Sequence, residues 1–301
     1  VERDGESCLI VRGDAAWHPD APVPPAALIG RVTAARRHGR WLPLERNERF
    51  PVAARLLRAT CVTLDAGHDA CAVGAGAVSA ATELSDTDAD LAEREGLAPL
   101  LYYIRRAPAR QSCRADSVWR RLERCYLDTL GRNVLALDFL RETVRALRGL
   151  RPMILKGAWL AGHVYASPGL RPFADLDLMV RADNVAAAAA ALRKLGLVPE
   201  GTLPESAPGI GQDGWLHSIC FRPATGGMAL HLHWHWMNAS RPLYTASVAD
   251  IERVWQMARP AGIEDAVALC PEYIVIHLAE HAVRHSFDRL ILVRDLAEII
   301  I

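Results

Sequence analysis

Lysine is nearly missing from this chain of 301 residues: of its 35 basic residues only Lys156 and Lys194 are lysines, and the rest are arginines. Together with the abundant alanine this reads as a GC-rich coding bias, and it makes each lysine informative. An ammonium is a compact point charge suited to phosphate, whereas a guanidinium is a planar fork. A charge excess is lacking as well. The 35 Lys+Arg balance 35 Asp+Glu at a pI near 7.3, which excludes the one-signed field of a dedicated nucleic-acid or membrane-surface binder. No apolar run reaches the roughly 18 to 20 residues of a membrane-spanning helix, and the opening VERDGESCLIVRGD has no uninterrupted apolar core of the signal-peptide kind. The expectation is a soluble, cytoplasmic protein with no membrane partner. The seven cysteines (Cys8, Cys61, Cys71, Cys113, Cys125, Cys220, Cys270) are odd in number, scattered and without a C-x-x-C pair. Reduced thiols follow, and a disulfide framework or a cysteine zinc site is excluded.

Four stretches differ in texture. Residues 1–48 hold Pro19, Pro22, Pro24 and Pro25 and the basic run Arg36-Arg37-His38-Gly39-Arg40, and read as a poorly ordered or loosely docked arm. From 49 to 150 the spacing is helical: Val52, Leu56 and Leu57, then a Gly- and Ala-rich loop around 66–80, then a helix over about Asp88–Glu95 stopped by Gly96. The strongest helical pattern runs from Asp116 to about Leu147, with Gly131 as a place where it bends or splits. From 151 to 240 short apolar runs alternate with Gly and Pro. Pro152–Leu155 reads as a strand, Gly157–Tyr165 as a helix and Asp175–Val180 as a buried strand. Asp183 is placed to cap an alanine-rich helix ending at Gly196, 199–214 is a loop, and Leu216–Phe221 and Met228–Trp236 are strands around the turn Pro223–Gly227. From about Val248 to 301 the pattern is helical again, and the last helix reaches Ile301 without a cap, so a longer natural chain is expected.

The chemistry concentrates at Asp175-Leu176-Asp177. Side chains two apart on a strand share a face, so the two carboxylates sit together while Leu176 and Leu178 enter the core, an arrangement that asks for a neutralising cation. Upstream, Leu155-Lys156-Gly157 hands a strand over to a helix, and such a junction offers backbone N–H groups and a positive helix end to a phosphate. Between them stand Tyr165, Gly169 and Arg171. Six of the eleven histidines fall in two short segments. His231, His233 and His235 alternate along one strand face, opposite Leu232, Trp234 and Trp236; His277, His281 and His285 lie four apart on a helical stripe. Both spacings suit zinc or manganese. For the helical set, packing against the strand or orienting neighbouring backbone is favoured over metal binding, and for the tryptophans a place in the core.

The string L-K-G-x-x-L-x-x-x-x-Y-x-x-x-G-x-R-x-x-x-D-L-D-L-x-V resembles the uncharacterised nucleotidyltransferase family of the DNA polymerase β-like superfamily. Leu97-Ala-Pro-Leu-Leu101, His233-Trp234 and His281-x-x-x-His285 with Leu290 and Asp295 stand where that family's pattern puts them, so the resemblance spans about 90 to 301. It implies an α+β fold whose polymerase-β-like core, a mixed sheet with helices, is flanked by N-terminal and C-terminal helical segments. It also implies transfer of a nucleoside monophosphate from an NTP to an acceptor.

Under that resemblance Asp175 and Asp177 are the metal ligands and catalytic residues, since carboxylates on one strand face suit divalent ions that clamp the attacking and leaving oxygens of a phosphoryl displacement. Lys156, Gly157 and Arg171 are the nucleotide-binding residues. Gly157 lets the backbone approach the phosphates, and Lys156 or Arg171 offsets charge developing on them. The position of the superfamily's third acid is held by His231, which reads as a catalytic base, as a metal ligand favouring Mn²⁺ over Mg²⁺, or as a sign that catalysis has been lost. Two readings stand: a nucleotidyltransferase using Mg²⁺ or Mn²⁺ with NTP as substrate and an unknown acceptor, and a catalytically inactive relative that binds a nucleotide or partner protein in the same pocket. The basic run at 36–40 leaves an RNA acceptor open without pointing to it.

Overall fold

The structure, a computed structural model, describes residues 84–106, 117–201, 217–237, 248–285 and 287–300, with Leu56 and the backbone of four short strands near the N-terminus. Those four form two antiparallel pairs, Glu2–Arg3 with Glu6–Ser7 and Ala34–Arg37 with Arg40–Pro43. Leu56 is buried. The rest of the expected arm over 1–48, and the loop around 66–80, lie outside the described residues, as do most of 199–214 and four of the seven cysteines. The cysteines that are described, Cys125, Cys220 and Cys270, are free thiols.

Helix α1 (Asp86–Arg94) starts at a capping box: the Ser85 hydroxyl accepts the Asp88 N–H, and the Asp88 carboxylate accepts the Ser85 N–H. Gly96, at φ +76°, ends it in the left-handed conformation that glycine adopts without penalty. Helix α2 (Ala98–Arg105) opens with Pro99 in its first turn, and Leu97, Leu100 and Leu101 are buried. Helix α3 (Ser117–Ala146) is continuous for 30 residues. Gly131 neither bends nor splits it, because an exposed glycine with open space around its Cα costs only helix propensity.

A seven-stranded mixed sheet follows, built from β1 (Met153–Leu155), β2 (Asp175–Met179), β3 (Leu197–Pro199), β4 (Ser218–Pro223), β5 (Ala229–His233), β6 (Arg259–Pro260) and β7 (Val267–Ala268), in the spatial order β6-β7-β1-β2-β5-β4-β3. Strand β2 is central. It runs antiparallel to β1, with Leu155 opposite Asp177, and parallel to β5, with Asp177 opposite His231 and Met179 opposite His233. Strands β3, β6 and β7 lie where the sequence showed only loop or helix, since two or three residues are too short to display a period of two. Strand β5 stops at His233, three residues before the expected end at Trp236. His235 therefore does not continue the alternating face: it turns back on its own loop, where the Met237 N–H donates to its Nδ1.

Five helices complete the core region. Helix α4 (Lys156–His163) follows β1 directly, and α5 (Val185–Lys194) crosses from β2 toward β3. Asp183 does not cap α5. A short 3₁₀ turn, Ala182–Asn184, intervenes, and neither it nor α5 has a side-chain cap. Gly196, at φ +78°, does stop the helix. Helix α6 (Val248–Met257) precedes β6, and α7 (Pro271–Arg284) and α8 (Leu290–Ile300) follow β7. Among the described residues no helix is long and apolar enough to cross a membrane.

Two apolar clusters cover the sheet. Ile154, Leu176, Leu178, Leu230, Leu232 and Trp234 pack with Val185, Ala188 and Leu192 of α5 and with Leu137, Leu140 and Val144 of α3. Met153, Leu155 and Met179 pack on the other side with Leu160, Leu122 and Tyr126, and with Ile274 and Leu278 of α7. At roughly 1.5–3 kcal/mol for each buried Leu or Ile side chain, these layers fix which face of β2 points where. Because side chains alternate, Asp175, Asp177, His231 and His233 all fall on the second face, with Met179. The expected core places of Trp234 and Trp236 are observed.

Candidate metal centre

The two carboxylates of β2 share a face but not an environment. Asp177 has a side chain 3% exposed, whereas that of Asp175 is 42% exposed at the strand's leading end. Asp177 Oδ1 accepts from Lys156 Nζ at 2.8 Å and from His233 Nε2 at 2.7 Å. An ionised carboxylate only accepts, so His233 carries its hydrogen on Nε2. Burial alone would raise the Asp177 carboxyl; the charge of Lys156 and the hydrogen bond from His233 outweigh it and hold the group well below the usual carboxylate range. Burial in turn pushes the His233 imidazole down to about 4, against the pull of Asp177, so the ring is neutral at pH 7. Asp175 is pushed up, by burial first and by the Asp177 charge second.

His231 reaches over both acids. Its Nδ1 stands 3.8 Å from Asp175 Oδ2 and 3.8 Å from Asp177 Oδ1. One ligand atom each from Asp177, His231 and His233 lie within 4.8 Å of one another, and among the described residues this is the one cluster of three or more such groups with metal-holding geometry. The donor set fits a divalent ion: carboxylate oxygen, two imidazole nitrogens and the half-exposed Asp175 beside them. Ligation through His233 Nε2 requires its proton to move to Nδ1. The sequence named Asp175, Asp177 and His231 for this role. The structure adds His233, whose signal was the two-residue spacing from His231.

Lys156, expected beside a phosphate, makes its ion pair with Asp177 and is 11% exposed. Its backbone sits at φ +50°, a left-handed conformation unusual for a residue with a Cβ, and no side chain caps the helix it opens. Gly157 is packed from within. A Cβ there would stand 2.5 Å from Arg171 Nη1 and 2.7 Å from Phe173 Cβ. Arg171 is itself engaged: Nη2 donates to Asp295 Oδ2 at 2.6 Å, Nε to both Asp295 oxygens at 3.2 Å, and Nη1 to the Pro172 carbonyl at 3.0 Å. Tyr165 donates its hydroxyl to Asp295 Oδ1 at 2.8 Å. The connection from α4 to β2 is also fastened to α3. Asn133 Nδ2 donates to the carbonyls of Pro168 and Arg171, and a Cβ on Gly169 would meet Tyr126 at 2.8 Å. Tyr165, Gly169 and Arg171 thus hold the connection, and Lys156, Asp175, Asp177, His231 and His233 cluster beside it.

The histidine stripe of α7 lies outside the cluster. His281 Nδ1 meets the Arg284 guanidinium at 2.9 Å and its ring packs edge-on against His285 at 4.5 Å. His277 is buried near Trp236, its ring 6.4 Å away.

The fold and site define a mixed α+β protein whose central strand carries two carboxylates beside two histidines and a lysine. The chain belongs to the uncharacterised nucleotidyltransferase family, which it matches over residues 85–300. No curated protein and no solved structure matches it.

Proposed function

We propose that the protein is a metal-dependent nucleotidyltransferase that moves a nucleoside monophosphate from an NTP to an acceptor, on a core of the polymerase-β-like kind. The observation that carries this reading is the Asp177, His231 and His233 cluster with Asp175 at its open side. Its carboxylates lie on β2, antiparallel to β1, the strand that leads into Lys156-Gly157. Asp175, Asp177 and His231 would hold the ion, with His233 buttressing Asp177. A divalent ion there would neutralise triphosphate oxygens and polarise the phosphorus under attack, with pyrophosphate as the leaving group. The uncapped first turn of α4, which Lys156 opens, offers its backbone N–H groups to the phosphates; Arg171, gripped by Asp295, fixes the turn at Gly157. His231, 34% exposed, is the group in reach of an acceptor hydroxyl that takes its proton when it is not ligating.

The test is incubation with each labelled NTP and a cell extract, in Mg²⁺ and then in Mn²⁺. Label transfer by the wild type and its loss in Asp177→Asn, with an unchanged fold, are expected. Full activity in Asp177→Asn sinks the mechanism. A second reading, an inactive nucleotide-binding relative, is favoured by His231 in the third-acid position. His231→Asp separates the two. In an enzyme the added hard oxygen shifts preference toward Mg²⁺ and keeps or raises activity. In an inactive relative NTP binds by calorimetry, with no turnover in either metal.

A further inference from the structure

The ammonium of Lys156 sits where a cation belongs. It is 2.8 Å from Asp177 Oδ1, an oxygen that His233 also engages at 2.7 Å, so that ligand atom is saturated by the chain itself. An ion approaching Asp177 has to displace this ammonium, and like charges a few ångströms apart in a buried site repel strongly. The displaced group has somewhere to go. Lys156 lines a small cavity with Trp159, His277, Ile274 and Leu278, with room for about one water-sized sphere. Only the Trp236 backbone acts weakly on His277, and neither of its ring nitrogens makes a well-formed hydrogen bond. His277 is 4% exposed, and burial first, then the Lys156 charge, push it down to about 3, leaving a neutral ring with a lone pair to offer.

We propose that Lys156 is an exchangeable internal counter-ion, which occupies Asp177 when no divalent ion is bound and moves into the His277-lined cavity when one binds. This rests on the reading of Asp177 as a metal ligand, and it makes metal affinity a property set jointly by Lys156 and His277. The wild-type centre is then a weak site by construction, held closed by its own lysine.

The experiment is Mn²⁺ titration by calorimetry, without nucleotide, of the wild type, Lys156→Met, His277→Phe and the double variant. Lys156→Met keeps the aliphatic stem and frees Asp177, so Mn²⁺ binds roughly tenfold more tightly or better. His277→Phe removes the second station, so Mn²⁺ binds several-fold more weakly in the wild-type background, whereas it changes nothing when Lys156 is already Met. Melting provides a second readout: Lys156→Met lowers the melting temperature of the metal-free protein, and saturating Mn²⁺ raises it by more than in the wild type. Equal Mn²⁺ affinity in the wild type and Lys156→Met overturns the proposal even where nucleotidyl transfer is found. Tighter binding by Lys156→Met with no transfer under any condition leaves it standing and removes the enzymatic reading. Absence of Mn²⁺ binding in all four proteins overturns it together with the metal centre.

Discussion

Gly157 and Arg171 illustrate how a motif can be legible while the work of its members is not. The string from Lys156 to Asp177 stood out in the sequence, yet the partner that decides what Arg171 does, Asp295, lies 124 residues away, and its place in the family pattern did not pair it with Arg171. Arg171 and Asp295 are both buried, and removing one leaves an uncompensated charge in the core. Asp295→Ala is expected to cost about 3–5 kcal/mol in chemical denaturation, the scale for breaking a buried pair from one side; a loss under 1 kcal/mol would show that Arg171 finds other partners. At Gly157 the constraint is space. A methyl 2.5 Å from Arg171 Nη1 and 2.7 Å from Phe173 Cβ has no room, so Gly157→Ala is expected to destabilise by about 1–3 kcal/mol and to lower the thermal midpoint. An unchanged midpoint would return Gly157 to a role toward ligand alone. His233 was the residue the sequence could have added to the centre, since its spacing from His231 was visible. What it could not show is the register that sets β5 beside β2, because residue spacing within one strand says nothing of its neighbour.

Among the elements, those with many residues and one dominant face were the readable ones. Helix α3 shows apolar residues at three- and four-residue steps over its length, and β2 places Leu176 and Leu178 on one side and its acids on the other. Strands β6 and β7 carry two residues each, and they join the sheet through β7 pairing in parallel with β1, a contact made by chain more than a hundred residues downstream. The expected cap of α5 at Asp183 failed because a 3₁₀ turn satisfies the chain entry first. Gly131 is the cleanest place to test element-level reasoning. It is exposed within a continuous helix and a Cβ there would touch nothing, so Gly131→Ala is expected to stabilise by about 0.5–1 kcal/mol through helix propensity and a less flexible unfolded chain. A lower thermal midpoint for this variant would mean that the glycine carries a contact outside the described residues.

At the scale of the whole molecule, the balanced charge of the chain hides an uneven interior. Helix α7 brings His277 and His281 against the layer that holds Lys156, and burial first, then the Lys156 charge, push them down to about 3 and about 2. Both rings are therefore neutral in the folded protein throughout the range in which an unfolded histidine, near 6.5, takes up a proton. Between pH 6.5 and about 3 the unfolded chain binds more protons than the folded one, so stability rises with pH and is lost as pH falls through that window. Each such ring contributes at most about 1.4 kcal/mol per pH unit below 6.5. Asp177 adds loss of the same sign lower down, since its carboxyl is held below the unfolded value and must protonate as the chain unfolds in acid. Urea midpoints at pH 7.5, 6.0 and 5.0 are the measurement. The wild type is expected to lose stability steadily from 6.5 downward, and His277→Leu, which removes one ring without leaving a polar atom buried, to show a shallower slope. Midpoints that stay level between pH 7.5 and 5.0 would mean that these histidines take up protons in the folded state and that α7 does not shield them.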